Sequence, residues 1–498
     1  RIFANYFLTD NNHANRVIIY GAGSAGIQLA SALKVSLEMN PIAFVDQDKS
    51  LQGTYLAGIK ILSPEKLEGM VKSKQIDEVL IAMPSASKST LKDLLRDIEK
   101  YSVKVRILPG LSDLARGKVS VSELKELDFE DLLGRSEVEA NRKLLDKNIK
   151  DKVVLVTGAG GSIGSEIARQ ALKNKPKKLI LLDSNEYSLY EIKEEIVRED
   201  GLVVTVLADV KDKKRITDIC KAFSVQTIYH AAAYKHVPLV EENPFEGVRN
   251  NIFGTLSCVN AAIETLVETF VLISTDKAVR PTNIMGASKR FAEMILQSMA
   301  LDSNNPIKTK LTMVRFGNVL GSSGSALPLF KKQIQDGGPV TVTDPEIIRY
   351  FMSIPEAAEL VIQAGAMGEG GDVFLLDMGE PVKILELAKR LIKLSGYELI
   401  DEGNPNGDIE IVFTGLRPGE KLYEELLIGN NSVNTIHSQI FKANEDFLNS
   451  KDLNFYLDSL KEAEHSNNVE KLKSILKDSI HGFTPEKEIM DIIQIQNN

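Results

Sequence analysis

Asp276 and Lys277 stand side by side at the end of an apolar run, in the stretch LISTDKAVRPTNIMGASK, with Met285 placed four residues before Lys289. An acid and a base at the C-terminal end of a strand, beside a nucleotide-binding sheet, suit proton transfers coupled to a redox cofactor. A polar turn leaving a core strand has the same composition. What separates the two readings is the set of elements that would have to position the pair.

At 498 residues the chain is too long for one ordinary core, so two or more domains are expected. Its hydrophobic content of 43% and charged content of 26% are those of a soluble globular protein. A formal net charge of -9, with no dense Lys/Arg block, argues against nonspecific nucleic-acid binding. Cys220 and Cys258 lack metal-ligand spacing and read as reduced core residues, and no metal site is expected. The sequence contains no run of eighteen apolar residues and no signal-peptide pattern, so this chain by itself is expected to be soluble. It begins with Arg1 rather than Met, and a truncated or processed chain is expected on that ground.

Residues 16–20 (RVIIY) read as a buried strand running into Gly21, Gly23 and Gly26 of GAGSAG and then a helix; a second strand over 42–45 ends in Asp46. This is the spacing of a dinucleotide turn, in which glycines let the backbone approach a pyrophosphate at a helix N-terminus and the acid meets the ribose. Strands over 78–82 and 103–107 and helices near 64–72 and 87–100 continue the alternation. Residues 1–110 thus form a Rossmann-like domain of unknown ligand, open to being a functional site or a structural or regulatory relic, because nothing in it resembles a nucleophile, base or metal cluster. Residues 111–150, with Leu124, Leu127, Phe129, Leu132 and Leu133, read as a helical connector packed on the next domain.

The second series is richer. A strand over 152–156 enters TGAGGSIG with Gly158, Gly161 and Gly164, and Ser162 and Ile163 open the helix that follows. The strand over 179–182 ends in Asp183, and no Arg follows in the turn, which favours NAD over NADP because a carboxylate there repels a 2′-phosphate. The strand over 203–207 leads into Asp209 and Val210, suited to an adenine edge. The strand over 227–229 leads into Ala231, Ala232 and Ala233, small enough for a dinucleotide to lie against the strand end, and Asn251 follows in a helix.

Taken in series, TGxxGxxG, LADV, HAAAYKHVP, STDKAVRPTNIMGASKR, RFGNVLGSSGS and GLRPGEKLYEELL resemble the extended short-chain dehydrogenase/reductases. More narrowly they resemble the large membrane-anchored UDP-N-acetylglucosamine 4,6-dehydratases of bacterial polysaccharide and protein-glycan synthesis. The resemblance covers roughly 152–429, and the first domain is similar to the extra domain of the large members. The fold it implies is α/β: two tandem Rossmann-like, doubly wound parallel-sheet domains, the second (151–430) carrying a smaller C-terminal substrate-binding lobe, with a polar helical segment over 431–498 in which no motif is legible.

Such a dehydratase removes hydride from sugar C4, eliminates water across C5 and C6 and returns hydride to C6. The resemblance places Asp276 as the acid for the C6 hydroxyl and Lys277 as the base for the C5 proton; burial would raise the pKa of the first and lower that of the second, as each role requires. It places Thr275 at the C4 oxygen and Lys289 at the nicotinamide ribose. Met285 stands where the wider superfamily has Tyr, and a thioether takes no proton. The C4 base therefore stays open between Asp276, Lys277 and a water relayed through Thr275. Lys235, Asn318, Arg349, Arg417 and Glu420 are the expected UDP-sugar contacts, the arginines because they bind a diphosphate bidentately. Lys331 and Lys332 are either diphosphate partners or a solvated helix face. The resemblance further implies tethering at the cytoplasmic face of a bacterial inner membrane through segments upstream of Arg1, and a homo-oligomer. A nucleotide-sugar 4-epimerase would need no acid–base pair at C5 and C6, and a non-catalytic nucleotide sensor would not need Thr275, Lys277 and Lys289 together.

Overall fold

A computed structural model describes residues 14–109, 124–127, 132, 140–196, 201–303, 307–322, 325–425, 432–486 and 488–497. The chain forms two compact units, one of residues 1–137, 326–345 and 384–414, the other of 138–325, 346–383 and 415–498.

The first unit is built on a seven-stranded sheet whose middle strands, Ile59–Leu62, Met39–Val45, Asn15–Tyr20, Glu78–Ile81 and Lys104–Ile107, run parallel in that order. Val17, Ile18 and Ile19 are wholly buried, as expected of a central parallel strand covered on both faces. The helix Lys88–Ile98 is capped by the Ser87 hydroxyl, which accepts from Thr90 N, and buries Leu91, Leu94, Leu95 and Ile98 at helical spacing. A smaller parallel sheet of Val340–Val342, Ile409–Phe413 and Leu399–Ile400 belongs to this unit, with the helices Ala326–Gln335 and Ile384–Leu394.

That assignment corrects the expected continuous domain over 151–430. The helix Ile384–Leu394 buries Leu387, Ala388, Leu391 and Ile392, its Arg390 Nε lies 2.6 Å from Glu99 Oε2, and Ser395 bridges to Lys104. Packing and pairing across distant segments decided the boundary, and neither is visible as a change in composition. Lys331 and Lys332 accordingly sit in the first unit. The connector reading of 111–150 falls largely outside the described residues; of those described, Leu127 and Leu132 are buried.

The second unit carries a nine-stranded sheet in the order Val203–Leu207, Lys178–Asp183, Val153–Thr157, Thr227–His230, Thr269–Ile273, Lys310–Arg315, Asp372–Leu376, Ile440–Ala443 and Ser432–Asn434. The first seven are parallel, Ile440–Ala443 runs antiparallel to them, and Ser432–Asn434 pairs antiparallel with Ile440–Ala443. The strand order reverses beside Val153–Thr157, which is where such a sheet opens a crevice at its C-terminal edge.

The polar segment over 431–498 is integral to this unit rather than an appendage. Ile440–Ala443 extends the main sheet, and the helices Ser450–His465 and Val469–Ser479 bury Leu453, Leu457, Leu460, Leu472 and Leu476 in the same core as the helix Ile284–Ala300. The core-facing apolar residues recur at intervals of three and four, a narrow stripe that average polarity conceals. Cys220 and Cys258 are free and buried. Among the described residues no helix is long and apolar enough to cross a membrane.

Candidate active site

The glycine turn after Val153–Thr157 fits a dinucleotide. Gly158 has φ +66°, and a Cβ there would lie 2.6 Å from Ala232 N, so the turn sits flush against the end of the neighbouring strand. The helix Ser162–Lys173 starts at Gly161 with no side-chain cap, the usual form of a helix N-terminus that receives a phosphate. Asp183 closes the next strand; its carboxylate accepts from Gly160 N at 2.9 Å and Asn185 N at 2.9 Å, which fixes it beside the turn. Ala231, Ala232 and Ala233 follow the strand Thr227–His230 and are half-buried.

Two expected cofactor residues have buried side chains. Asn251 is wholly buried; its amide clasps Tyr234 N (2.8 Å) and O (3.0 Å) and donates to Ser288 Oγ (2.9 Å), so it shapes the loop after Ala233. Val210 is a core residue, while Asp209 next to it is partly open and paired with Lys211 at 2.8 Å.

The catalytic candidates converge at the end of Thr269–Ile273. There Thr275 ends the extended backbone and caps a short 3-10 turn, Asp276–Ala278, its hydroxyl accepting from Lys277 N at 3.4 Å and donating to Asp276 Oδ1 at 2.8 Å. Asp276 is buried, and Lys277 Nζ lies 3.2 Å from its Oδ1, 2.7 Å from Glu424 Oε1 and 3.3 Å from Asn318 Oδ1. Glu424 is bonded in turn by Asn318 Nδ2 at 3.0 Å and Arg349 Nε at 3.3 Å. Glu424 was not among the residues singled out from the sequence. It lies in a run containing Glu420, Glu424 and Glu425, and spacing alone does not show which of these turns inward.

Electrostatics separate the pair. Burial, with the Glu424 carboxylate beside it, holds the Asp276 carboxyl above the usual carboxylate range, as an acid requires. Burial also disfavours the Lys277 ammonium, but Asp276 and Glu424 more than offset it and the net shift is upward. The expectation that desolvation would lower Lys277 is thereby corrected, since it took no account of two carboxylates. Lys289, one helical turn after Met285, is a lysine that burial does bring down, to about 8; its Nζ donates to Ile273 O at 2.6 Å. Met285 is 2% exposed within the apolar core, a packing residue with no proton to exchange.

The strand end is held from behind by buried charges. Ser274 Oγ donates to Glu293 Oε1 at 2.6 Å, Arg315 Nε and Nη2 meet Glu293 at 2.7 and 2.6 Å, and Arg315 also bonds Glu445. One carboxylate thus ties the residue before Thr275 to the strand that leads to Asn318.

The expected substrate residues divide. Arg349 is nearly buried and spends its guanidinium on Glu420 (3.0 Å), Glu424 and the carbonyls of Ile348 (2.8 Å) and Leu422 (3.3 Å), so it is an internal clamp and not an open diphosphate ligand. Arg417 is exposed; its main-chain N–H donates to Glu420 Oε2 at 3.1 Å, and no bond to its guanidinium appears among the described residues. Lys235 is exposed on the loop after Ala233, and surrounding protein, then Lys277, disfavour its charge.

Residues 154–445 match the model of the family described as "Polysaccharide biosynthesis protein", more than half of the chain. The chain belongs to the polysaccharide biosynthesis protein family. Residues 13–105 of this member separately match a family described as "C2185-like, N-terminal". It is 46% identical over 446 residues to the capsular polysaccharide biosynthesis protein CapD of Staphylococcus aureus, covering 88% of this chain and 72% of CapD. It is 34% identical to the UDP-glucose 4-epimerase of Rickettsia massiliae, covering 56% of this chain and 78% of that protein. It is 30% identical to the inverting UDP-N-acetylglucosamine 4,6-dehydratase of Campylobacter jejuni, covering 69% of this chain and 97% of that one.

Proposed function

We propose that this member of the family is an NAD-dependent 4,6-dehydratase that converts UDP-N-acetylglucosamine to a UDP-4-keto-6-deoxy sugar in bacterial glycan synthesis. The observation that carries the reading is the buried Asp276, its carboxyl raised above the usual carboxylate range, next to Lys277 at the C-terminal edge of a nucleotide-fold sheet. Bound NAD supplies the hydride acceptor and donor that the conversion needs. Gly158, Gly161 and the amides of Ser162, Ile163 and Gly164 would cradle its pyrophosphate, Asp183 its adenosine ribose and Lys289 its nicotinamide ribose.

In this reading Asp276 gives its proton to the C6 hydroxyl oxygen as the C6–O bond breaks. Lys277 is the nearest amine to take the C5 proton, and it must first shed the proton that Asp276 and Glu424 favour on it. Thr275 and Asn318 face the same point from two chain segments. Arg417 and Lys235, both exposed, are the cations open to the diphosphate. The similarity to CapD supports the setting in polysaccharide synthesis, and the similarity to the Campylobacter enzyme supports the reaction. That relative is named inverting; we read C5 as retained here, on the resemblance to the large members of the family.

The test is to incubate the protein with UDP-N-acetylglucosamine in deuterium oxide and follow the sugar by NMR. A 4-keto-6-deoxy product with deuterium at C5 is expected, its ring coupling constants reporting retention or inversion. Recovery of UDP-N-acetylgalactosamine instead would establish the second reading, a 4-epimerase, which the likeness to the Rickettsia protein favours.

A further inference from the structure

We infer that Glu424 is a positioning residue of this reaction, closing a carboxyl pair with Asp276 that holds a single proton on Asp276 and aims it at the leaving oxygen. The inference rests on the dehydratase reading. Asp276 Oδ1 receives Thr275 Oγ1 at 2.8 Å and Lys277 Nζ at 3.2 Å, whereas Asp276 Oδ2 is buried and receives no hydrogen bond from any donor among the described residues. A bare carboxylate oxygen in that position would carry the full cost of desolvation. The Asp276 and Glu424 carboxyl groups converge on one ammonium, Lys277 Nζ lying 3.2 Å from Asp276 Oδ1 and 2.7 Å from Glu424 Oε1, and two carboxyl groups brought together in this way are satisfied by each other when one of them is protonated.

Donor geometry decides which one. Lys277 Nζ at 2.7 Å, Asn318 Nδ2 at 3.0 Å and Arg349 Nε at 3.3 Å all point at Glu424, and Asp276 has only the Thr275 hydroxyl and a longer bond to the same lysine. Glu424 is therefore the anion and Asp276 the acid. The shifts run the same way: burial opposes the charge of each, yet Asp276 is raised and Glu424 lowered, the Lys277 charge being the main reason Glu424 still ionises. During elimination the C5–H electron pair becomes the C5–C6 double bond, the C6–O bond breaks and its oxygen leaves as water with the Asp276 proton. Two adjacent carboxylates then remain, balanced by Lys277 and Arg349, until Asp276 regains a proton from solvent. Lys421, after Gly419, also faces the pair, and Lys235, before Val237, faces Lys277.

The test is Glu424→Gln, which keeps shape and a hydrogen bond and removes the charge. Turnover is expected to fall by about 10²-fold near neutrality with KM nearly unchanged. Without an anion beside it Asp276 loses its proton at lower pH, so the alkaline limb of kcat moves toward acid. Asp276→Asn/Glu424→Gln should be no slower than Asp276→Asn, because the two act as one unit. An unmoved limb, or losses that multiply in the double variant, overturns the inference while leaving the dehydratase reading intact. Infrared difference spectra of the unsubstituted protein cover the case in which Glu424→Gln does not fold: a protonated-carboxyl stretch near neutral pH that vanishes in Asp276→Asn is expected, and its absence refutes the pair. Failure of the unsubstituted protein to form a 4-keto product would instead refute the dehydratase reading.

Discussion

The two units start from the same turn and end with different chemistry. In the first, Asp46 Oδ2 accepts from Ala22 N at 2.7 Å; in the second, Asp183 Oδ2 accepts from Gly160 N at 2.9 Å. A Cβ on Gly26 would overlap the Gly21 carbonyl, and one on Gly164 would overlap that of Gly158. The contrast begins at the neighbouring strand ends. Tyr20 pairs with Ile81 in the first unit, and the chain continues into Ala82 and Met83, the latter packed against Gly21. Thr157 pairs with His230 in the second, followed by three alanines. After the next strand the first unit continues with Leu108 and Pro109, where the second has Ser274, Thr275, Asp276 and Lys277. The glycine turn therefore reports a way of joining strand to helix, and the residues after the fourth and fifth strands report what the crevice can do.

The largest expected effect tests that division directly. Asp276→Asn and Lys277→Ala should each lower formation of the 4-keto product by about 10²–10⁴-fold with the bound nucleotide retained. Loss of product with full retention of NAD is the decisive pattern. Near-normal turnover in Lys277→Ala would show that the C5 base lies elsewhere. A smaller effect separates the two acids. Asp183→Ala removes a charged hydrogen-bond acceptor worth about 1.5–3 kcal/mol, so NAD affinity should drop about tenfold or more and discrimination against NADP should shrink. Asp46→Ala, the matching change in the first unit, should alter neither quantity in a titration of the whole protein. Equal losses from both variants would mean that both turns hold the cofactor.

The same contrast marks what was legible in the sequence. Strand–glycine–helix–strand–acid series are local, and both sheets follow from them, as does the gathering of Thr275, Asp276, Lys277 and Asn318 at one strand edge. What could not be read depends on distant pairing. Glu424 is distinguished from Glu425 only by burial, since Glu425 pairs with the exposed Arg280 while Glu424 turns under Lys277. The direction of the Lys277 shift depends on that unseen carboxylate. Arg349 reads as a diphosphate ligand because its partners Glu420 and Glu424 lie beyond seven further elements, and Asn251 reads as a cofactor contact because its clasp on Tyr234 is a matter of tertiary approach. The division of 326–345 and 384–414 from the catalytic unit is of the same kind, decided by which sheet a segment joins.

The smallest expected effect concerns stability at the strand ends themselves. His230 is buried between Thr157 Oγ1, 2.7 Å from Nδ1, and Thr255 Oγ1, 3.1 Å from Nε2, and burial, with the nearby Lys289 charge, brings its pKa down to about 3. In an unfolded chain the same imidazole titrates near 6.5. Above that value both states are neutral and His230 leaves stability independent of pH. As pH falls from about 6.5 toward 3, the unfolded chain takes up a proton that the folded one refuses, so stability is lost progressively through this window. His230→Gln has no proton to take up and should flatten that part of the profile, even if its melting temperature at neutral pH is lower. Ile81 holds the corresponding place in the first unit and contributes no such slope. Thermal melts of both proteins from pH 7 to pH 4 check this: the unsubstituted protein should lose melting temperature more steeply than His230→Gln, and parallel curves would place the acid sensitivity of the second unit in other groups.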